Sequence, residues 1–351
     1  MKLKDFTYTL PDTLIAQSPL EDRLASRLLV VDKETGDLQD KQFKDLKTFL
    51  RKGDVLVLND TAVLPARLIG EKLGTGAIIE ILLLAQKPND VWECLVKKAR
   101  KIKVGTKVRF GDGEIVAECV KVLDDGIRHF KMHYQGVFLE QLEKLGTMPL
   151  PPYIHERLED QERYQTVYRK HQGSAAAPTA GLHFTKAYLE ELNKMGVIIT
   201  YVTLHVGLGT FRPVSVDRIE DHEMHEEYYT VTKETSDIIN QAKKEGRRIV
   251  AVGTTSLRTL ETVGKAHGKM QAESGFSRLF IYPGFKFTIV DSLLTNFHLP
   301  ESTLLMLVSA FASKSIIFDA YEHAIKEKYR FFSFGDAMFL TKNTTDGNKN
   351  I

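Results

Sequence analysis

At 351 residues the chain has room for about two domains of ordinary size. Its 48 basic and 46 acidic residues leave a formal charge of +2, which excludes a uniformly basic nucleic-acid coat but not a local basic patch. With 43% hydrophobic and 27% charged residues it is globular in composition, and its two cysteines, Cys94 and Cys119, are too far apart for a disulfide scaffold or a cysteine zinc site.

In chain order, Arg27–Asp32 reads as a strand, Gln42–Leu50 as a helix with Phe43, Leu46, Phe49 and Leu50 on one face, and Asp54–Leu58 as a buried strand. Strand, helix, strand opens an α/β layer. From about Arg67 the character changes to short β-branched runs: Gly76–Leu84, Val91–Val96, Lys107–Phe110, Glu114–Val122 and Arg128–Tyr134. Turns such as Gly111-Asp112-Gly113 separate them, the spacing of a small β-barrel or meander. A short helix at Phe138–Leu145 closes this module. The α/β pattern then resumes. Helices are expected at Lys186–Met195, Ser236–Glu245, Ser256–Val263, Ser302–Ala312 and Phe318–Lys328, and strands at Val197–Val206, Arg248–Val252 and Arg278–Ile281. The expected fold class is therefore mixed α/β, with 1–66 and 149–351 forming one discontinuous catalytic domain and 67–148 an inserted β-barrel-like domain.

No apolar run approaches the roughly 20 residues that span a bilayer, and Met1–Phe6 has no apolar core behind its lysines. A cytoplasmic protein that does not engage a membrane is expected.

Several segments have the composition of a site. In Gly173–Phe184, small residues and proline, including Pro178, Thr179 and Gly181, let backbone approach a ligand closely, and His183 stands at the loop's end. A tight loop packed against its own protein is the alternative. Tyr201–Pro213 is a buried strand that runs through His205 into a glycine turn with Gly207, Gly209, Thr210 and Arg212. It lacks the G-x-G-x-x-G order of a dinucleotide fingerprint. Asp221–Tyr228 carries His222, His225 and three glutamates, but His-x-x-His alone is a weak metal signal, so no metal is expected and proton transfer or polar pairing is preferred.

The apolar strand ending at Gly253 delivers Thr254, Thr255 and Ser256 to a helix start, where free N–H groups suit an anion; plain N-capping needs no ligand. Asn296 and His298 sit in a polar loop before a hydrophobic helix, where they could read a base edge or a sugar. Phe331–Met338 adds aromatic rings and Asp336. Between 97 and 109 the chain holds Lys97, Lys98, Arg100, Lys101, Lys103, Lys107 and Arg109 and no acid. Such a stripe binds a phosphate backbone or protects a solvated strand edge.

Taken in order, these segments resemble the S-adenosylmethionine:tRNA ribosyltransferase-isomerase family of queuosine biosynthesis. The matching pieces are Leu14–Gln17, Leu58–Thr61, Ala177–Phe184, Leu204–Phe211, Ala251–Ser256, Thr295–Pro300 and Phe334–Met338. Ser174-Ala175-Ala176 departs from the pattern, where a bulkier residue would be expected.

The resemblance implies two substrates: S-adenosylmethionine as ribosyl donor, and tRNA carrying 7-aminomethyl-7-deazaguanine at the wobble position. Epoxyqueuosine in the tRNA, adenine and methionine would be the products, with no metal or redox cofactor. It places His183, His205, His225 and Asp336 as acid–base candidates. Gly207, Gly209 and Thr210 would admit the adenosyl group, Thr254, Thr255 and Ser256 would hold a carboxylate or phosphate, and Arg212 with the basic stripe would meet anions. A non-catalytic tRNA-binding protein and an S-adenosylmethionine-dependent RNA methyltransferase are the alternatives. A monomer is expected, because no heptad seam or long apolar edge asks for a partner.

Overall fold

The computed structural model describes residues 1–124, 126–156, 158–207 and 214–342. By backbone contacts the chain forms two compact units. One comprises 1–62, 152–171 and 177–351; the other comprises 63–151 and 172–176. The fold is mixed α/β with an inserted β-barrel.

The smaller unit is a closed six-stranded barrel of Arg67–Lys72, Ile78–Lys87, Val91–Lys97, Lys107–Phe110, Ile115–Val122 and Ile127–Tyr134. Closure leaves no free sheet edge. Period-two alternation directs Ile79, Ile81, Trp92, Cys94, Val96, Val108, Phe110, Ile115, Ala117, Cys119, Phe130 and Met132 inward, and helix Phe138–Leu145 adds Phe138 and Leu142. Both cysteines are buried there as free thiols. Glycine is required at position 70, where an added Cβ would fall 2.4 Å from the Arg109 carbonyl oxygen.

In the larger unit a nine-stranded sheet carries the site. Its strand order is Glu273–Ser277, Glu227–Val231, Ile198–Leu204, Val55–Asn59, Ile249–Val252, Ser292–Asn296, Ala337–Thr341, Arg27–Asp32 and Leu38–Gln42. The central strands Val55–Asn59, Ile249–Val252 and Ala337–Thr341 are buried along their whole length. Continuous apolar runs suit strands covered on both faces. Helix Thr303–Phe311 is likewise apolar nearly all round, and among the described residues no single helix is long and apolar enough to cross a membrane.

Several elements differ from the sequence reading: strands such as Arg67–Lys72, Glu227–Val231 and Ala337–Thr341 are additional to it, and Asn296, read in a polar loop, ends the buried strand Ser292–Asn296. Gln42–Leu50 is the end of an edge strand followed by a 3-10 helix, Phe43–Phe49, which still buries Phe43 and Leu46. The strand expected at Arg278–Ile281 lies earlier, at Glu273–Ser277, where backbone pairing to Glu227–Val231 outweighs a poor strand composition. The helix expected at Ser256–Val263 spans Gly253–His267. The final helix starts at Lys314, four residues before the expected Phe318, because Ser313 caps it by accepting from the Ile316 N–H.

Candidate active site

Strand direction gathers the site. Ile198–Leu204, Val55–Asn59, Ile249–Val252 and Ser292–Asn296 run parallel, so Asp60, His205, Gly253 and Asn296 lie at one edge of the sheet. Ala337–Thr341 runs antiparallel to its neighbour, pairing Asn296 with Ala337, and Arg27–Asp32 runs parallel to it, pairing Leu28 with Ala337. The residues before those two strands, Asp336 and Ser26, therefore reach the same edge. Ligands of open α/β sheets collect outside such strand ends.

His183 closes the short 3-10 helix Thr179–His183 and is 5% exposed. The Thr179 hydroxyl donates to Asn296 Oδ1 at 2.9 Å, which fixes the amide so that Nδ2 faces His183 Nε2 at 3.2 Å and the Asp336 carbonyl at 3.4 Å. Nε2 is then the acceptor, and Nδ1 carries the ring proton and donates to Ser26 Oγ at 3.0 Å. Phe43 stacks on the ring with centroids 4.9 Å apart. Burial, with the charges of Arg23 and Arg330, lowers the imidazole to about 3, so it is neutral. A cavity of about 20 Å³, room for one water, borders it between Arg23, Arg163 and Ser333.

Asp336 is 2% exposed, and its two oxygens accept the backbone N–H of Arg27 and of Arg330, each at 2.8 Å. Burial raises its pKa against those bonds. His298 faces inward: Nε2 meets Thr295 Oγ1 at 3.0 Å, its N–H donates to the Tyr321 hydroxyl at 2.8 Å, and burial lowers it to about 3. His225 is exposed, ahead of strand Glu227–Val231. Among the described residues no three His, Cys, Asp or Glu side chains converge to hold a metal ion.

His205 is the more open histidine. Its N–H donates to the Tyr228 carbonyl at 2.9 Å, its ring lies 6.0 Å from and nearly parallel to that of Tyr228, and Nδ1 is 2.7 Å from Thr61 Oγ1. No described residue bonds its Nε2. Burial and then the charge of His171 lower its pKa.

Beyond His205, Gly207 donates its N–H to Glu227 Oε1 at 3.2 Å, and Glu227 forms a buried ion pair with Arg258. Gly209, Thr210 and Arg212 lie outside the described residues. Gly253 starts the fifteen-residue helix at φ +83° with no side-chain cap. Thr254 and Ser256 are buried, and the hydroxyls of Thr255 and Ser256 have no hydrogen-bond partner among the described residues. Pro178 is buried before the 3-10 turn. At position 181 any Cβ would fall 2.0 Å from the Tyr168 hydroxyl, so glycine is required.

In the barrel unit the basic stripe is only partly free. Lys97 and Arg109 pair with Glu80 and Glu71 at 3.5 and 3.1 Å, and Lys107 with Glu118 at 3.5 Å. Lys98, Arg100, Lys101 and Lys103 are exposed and form no ion pair among the described residues. They occupy the turn between strands Val91–Lys97 and Lys107–Phe110.

Sequence reasoning missed Ser26, Asp60, His171 and Arg258, and took Glu227 only as one of the three glutamates of the Asp221–Tyr228 segment. Asp60 stands inside the Leu58–Thr61 segment already singled out; Ser26 had no local signal.

A family model described as "Queuosine biosynthesis protein" matches residues 3–340. The chain belongs to this family. A curated relative from Staphylococcus aureus (strain Newman), named S-adenosylmethionine:tRNA ribosyltransferase-isomerase, is 58% identical over 340 residues, covering 97% of this chain and all of the relative. Another from S. aureus (strain JH9), with the same name, is 57% identical over the same span. The crystal structure of an S-adenosylmethionine tRNA ribosyltransferase from Thermotoga maritima is 39% identical with a TM-score of 0.55, and the match covers 96% of this chain and 99% of that one.

Proposed function

We propose that the chain is an S-adenosylmethionine:tRNA ribosyltransferase-isomerase. It transfers the ribosyl moiety of S-adenosylmethionine to 7-aminomethyl-7-deazaguanine at the tRNA wobble position and rearranges it, giving epoxyqueuosine-tRNA, adenine and methionine. Full-length kinship to relatives of that name supports the activity. One observation supports the placement of its chemistry: His205, whose Nε2 no described residue bonds, stands at the same sheet edge as the helix start at Gly253, which has no side-chain cap.

The sulfonium acidifies the adjacent ribose C5′–H, so a positioned base can form an ylide. His205 is that base. Adenine departs with a proton, the sugar opens, the aminomethyl nitrogen attacks the former C1′, and ring closure followed by alkoxide attack expels methionine and leaves the epoxide. His183 and Asp336 act behind the reacting atoms: the ring nitrogens of His183 tie the Thr179–His183 turn to Ser26 and Asn296, and the carboxylate of Asp336 holds the backbone of Arg27 and Arg330. His225 is kept as a candidate only for transfer at the outer rim. The N–H groups of Thr254, Thr255 and Ser256 bind the methionine carboxylate. Gly207, Gly209 and Thr210 admit the adenosyl group, Pro178, Gly181, Asn296 and His298 shape the pocket, and Arg212 with the stripe from Lys97 to Arg109 meets tRNA phosphates.

The sulfonium supplies both the acidity and the final leaving group, so this route calls on no metal or redox cofactor. The protein works as a cytoplasmic monomer. The test is one incubation of protein, S-adenosylmethionine and tRNA bearing the aminomethyl-deazaguanine, read by mass spectrometry. Adenine, methionine and a tRNA mass gain of a dehydrated pentose are expected. S-adenosylhomocysteine with a methyl gain would identify a methyltransferase instead, and bound tRNA without turnover a binding protein.

A further inference from the structure

Beside His205 stands a carboxyl–imidazole pair. Asp60 follows strand Val55–Asn59 directly and is 7% exposed. Its Oδ1 accepts from the Thr203 hydroxyl at 2.6 Å, and its Oδ2 lies 3.7 Å from His171 Nε2. The backbone is pinned to the same residue, because Lys170 and His171 both donate their N–H to the Asp60 carbonyl, at 2.7 and 3.2 Å. Asp60 thus fixes the backbone of His171 and lies alongside its ring, while about half of the side chain, 52%, stays exposed.

Thr61 links this pair to His205. Its hydroxyl lies 3.5 Å from the His171 carbonyl and 2.7 Å from His205 Nδ1. A hydroxyl has one proton, so when it donates to the carbonyl it accepts the Nδ1–H of His205 and leaves the Nε2 lone pair open. A positive charge on one imidazole disfavours a second imidazolium nearby. Burial and the charge of His171 both act on His205 in that sense. An exposed imidazole backed by a carboxyl, beside a second imidazole held neutral, is the arrangement of an acid working beside a base.

We propose that His171, positioned by Asp60, is the proton donor of this site and works opposite His205. The inference rests on the ribosyl-transfer reading above. His205 Nε2 takes the C5′ proton. The electron pair released at C5′ passes along the sugar as the C4′–O4′ and C1′–N9 bonds break, and ends on the purine, where a ring nitrogen takes the proton of His171. One proton is accepted and one given, so the two imidazoles exchange states and the site's charge is unchanged.

The other groups facing the pair are Lys170 on the same segment, His205 across Thr61, and Tyr168 and Tyr201. Burial and the charge of Asp60 keep both tyrosines protonated, with Arg23 acting against this at Tyr168. Neither tyrosine titrates within the working pH range.

The experiment measures kcat and KM for adenine release by the full chain across about pH 5.5 to 9, in the wild type, His171→Gln and Asp60→Asn. Each is run with S-adenosylmethionine and with an analogue whose purine leaves more readily as its anion. In His171→Gln, kcat should fall at least about 100-fold with KM for S-adenosylmethionine changed less than about threefold. The alkaline limb of its profile should vanish, and the analogue should restore most of the rate. Asp60→Asn should lower kcat less than His171→Gln does, and the analogue should recover that loss as well. A kcat within about threefold of wild type in His171→Gln, or a loss equal for both leaving groups, overturns the assignment. A kcat within about threefold of wild type in Asp60→Asn removes Asp60 from it. Absence of adenine release by the wild type sinks the ribosyl-transfer reading itself, an outcome distinct from the others.

Discussion

Asn296 donates its side-chain N–H to His183 Nε2 at 3.2 Å, joining the carboxyl end of a core strand to a turn 113 residues earlier in the chain. The same amide accepts from Thr179 and donates to the Asp336 carbonyl, so it is the hub of the buried polar network. Asn296→Ala leaves a buried imidazole acceptor and the Thr179 hydroxyl unpaired. It should lower the unfolding free energy by about 1–3 kcal/mol, read from urea denaturation, and lower kcat more than it raises KM. A stability within roughly 0.5 kcal/mol of wild type, the size of an ordinary surface effect, would remove it from this role.

His183 and His298 are neutral in the folded protein, each lowered from 6.5 to about 3, chiefly by burial. The unfolded chain binds a proton at each as pH falls below the ordinary value, and the folded chain does not. Their contribution to stability is therefore intact above about pH 6.5 and is lost progressively down to about pH 3. Each steepens the fall by at most about 1.4 kcal/mol per pH unit. Urea midpoints between pH 7 and 5 should fall less in His298→Gln than in wild type. Asp60 and Asp336, both raised by burial, act in the opposite sense, but they are common to both proteins and cancel in the difference.

The Arg258–Glu227 pair is sealed, at 5% and 4% exposure. Arg258→Met should cost about 3–5 kcal/mol, because a carboxylate is left buried without its counter-ion, and adding Glu227→Gln should recover most of the loss. Urea denaturation of the four proteins of this cycle gives the coupling. Strictly additive losses would show that the pair does not interact. The Gly207 N–H keeps an acceptor in Glu227→Gln, so KM for S-adenosylmethionine should change little in that single variant.

Within the basic stripe the four unpaired residues should dominate. Replacing Lys98, Arg100, Lys101 and Lys103 by alanine should raise KM for tRNA and flatten its salt dependence by about 0.7–0.9 for each phosphate that is no longer neutralised. Replacing Lys97, Lys107 and Arg109, already neutralised by Glu80, Glu118 and Glu71, should do less. KM for tRNA between low and moderate salt separates the two sets, and equal effects would refute the distinction.

What the sequence makes legible follows its physics. Most barrel strands alternate and announce themselves, as Val91–Lys97 does with Trp92, Cys94 and Val96 inward; Arg67–Lys72, which does not alternate, goes unread. Strands Ser292–Asn296 and Ala337–Thr341 escape notice because both faces are covered and no alternation survives. Glu227–Val231 and Glu273–Ser277 are antiparallel additions at the sheet's end, specified by pairing more than by composition. At the site, His183 and His205 stand out through their small-residue and glycine surroundings. Their partners cannot: Ser26 lies 157 residues from His183 and His171 lies 111 after Asp60, separations that only strand order can close.

Strand Ala337–Thr341 sits between Ser292–Asn296 and Arg27–Asp32, and Asp336 just before it binds the Arg27 N–H across 309 residues. Ala337–Thr341 and Arg27–Asp32 are neighbours in the sheet although most of the described chain separates them in sequence. Closing so long a loop is slow, and contacts of this span form late in folding. Until then Ser26 has no fixed place, so His183 lacks one of its two anchors. Without Asp336 and the strand that follows it, the chain keeps every histidine named here and loses the contacts that carry Ser26 to His183.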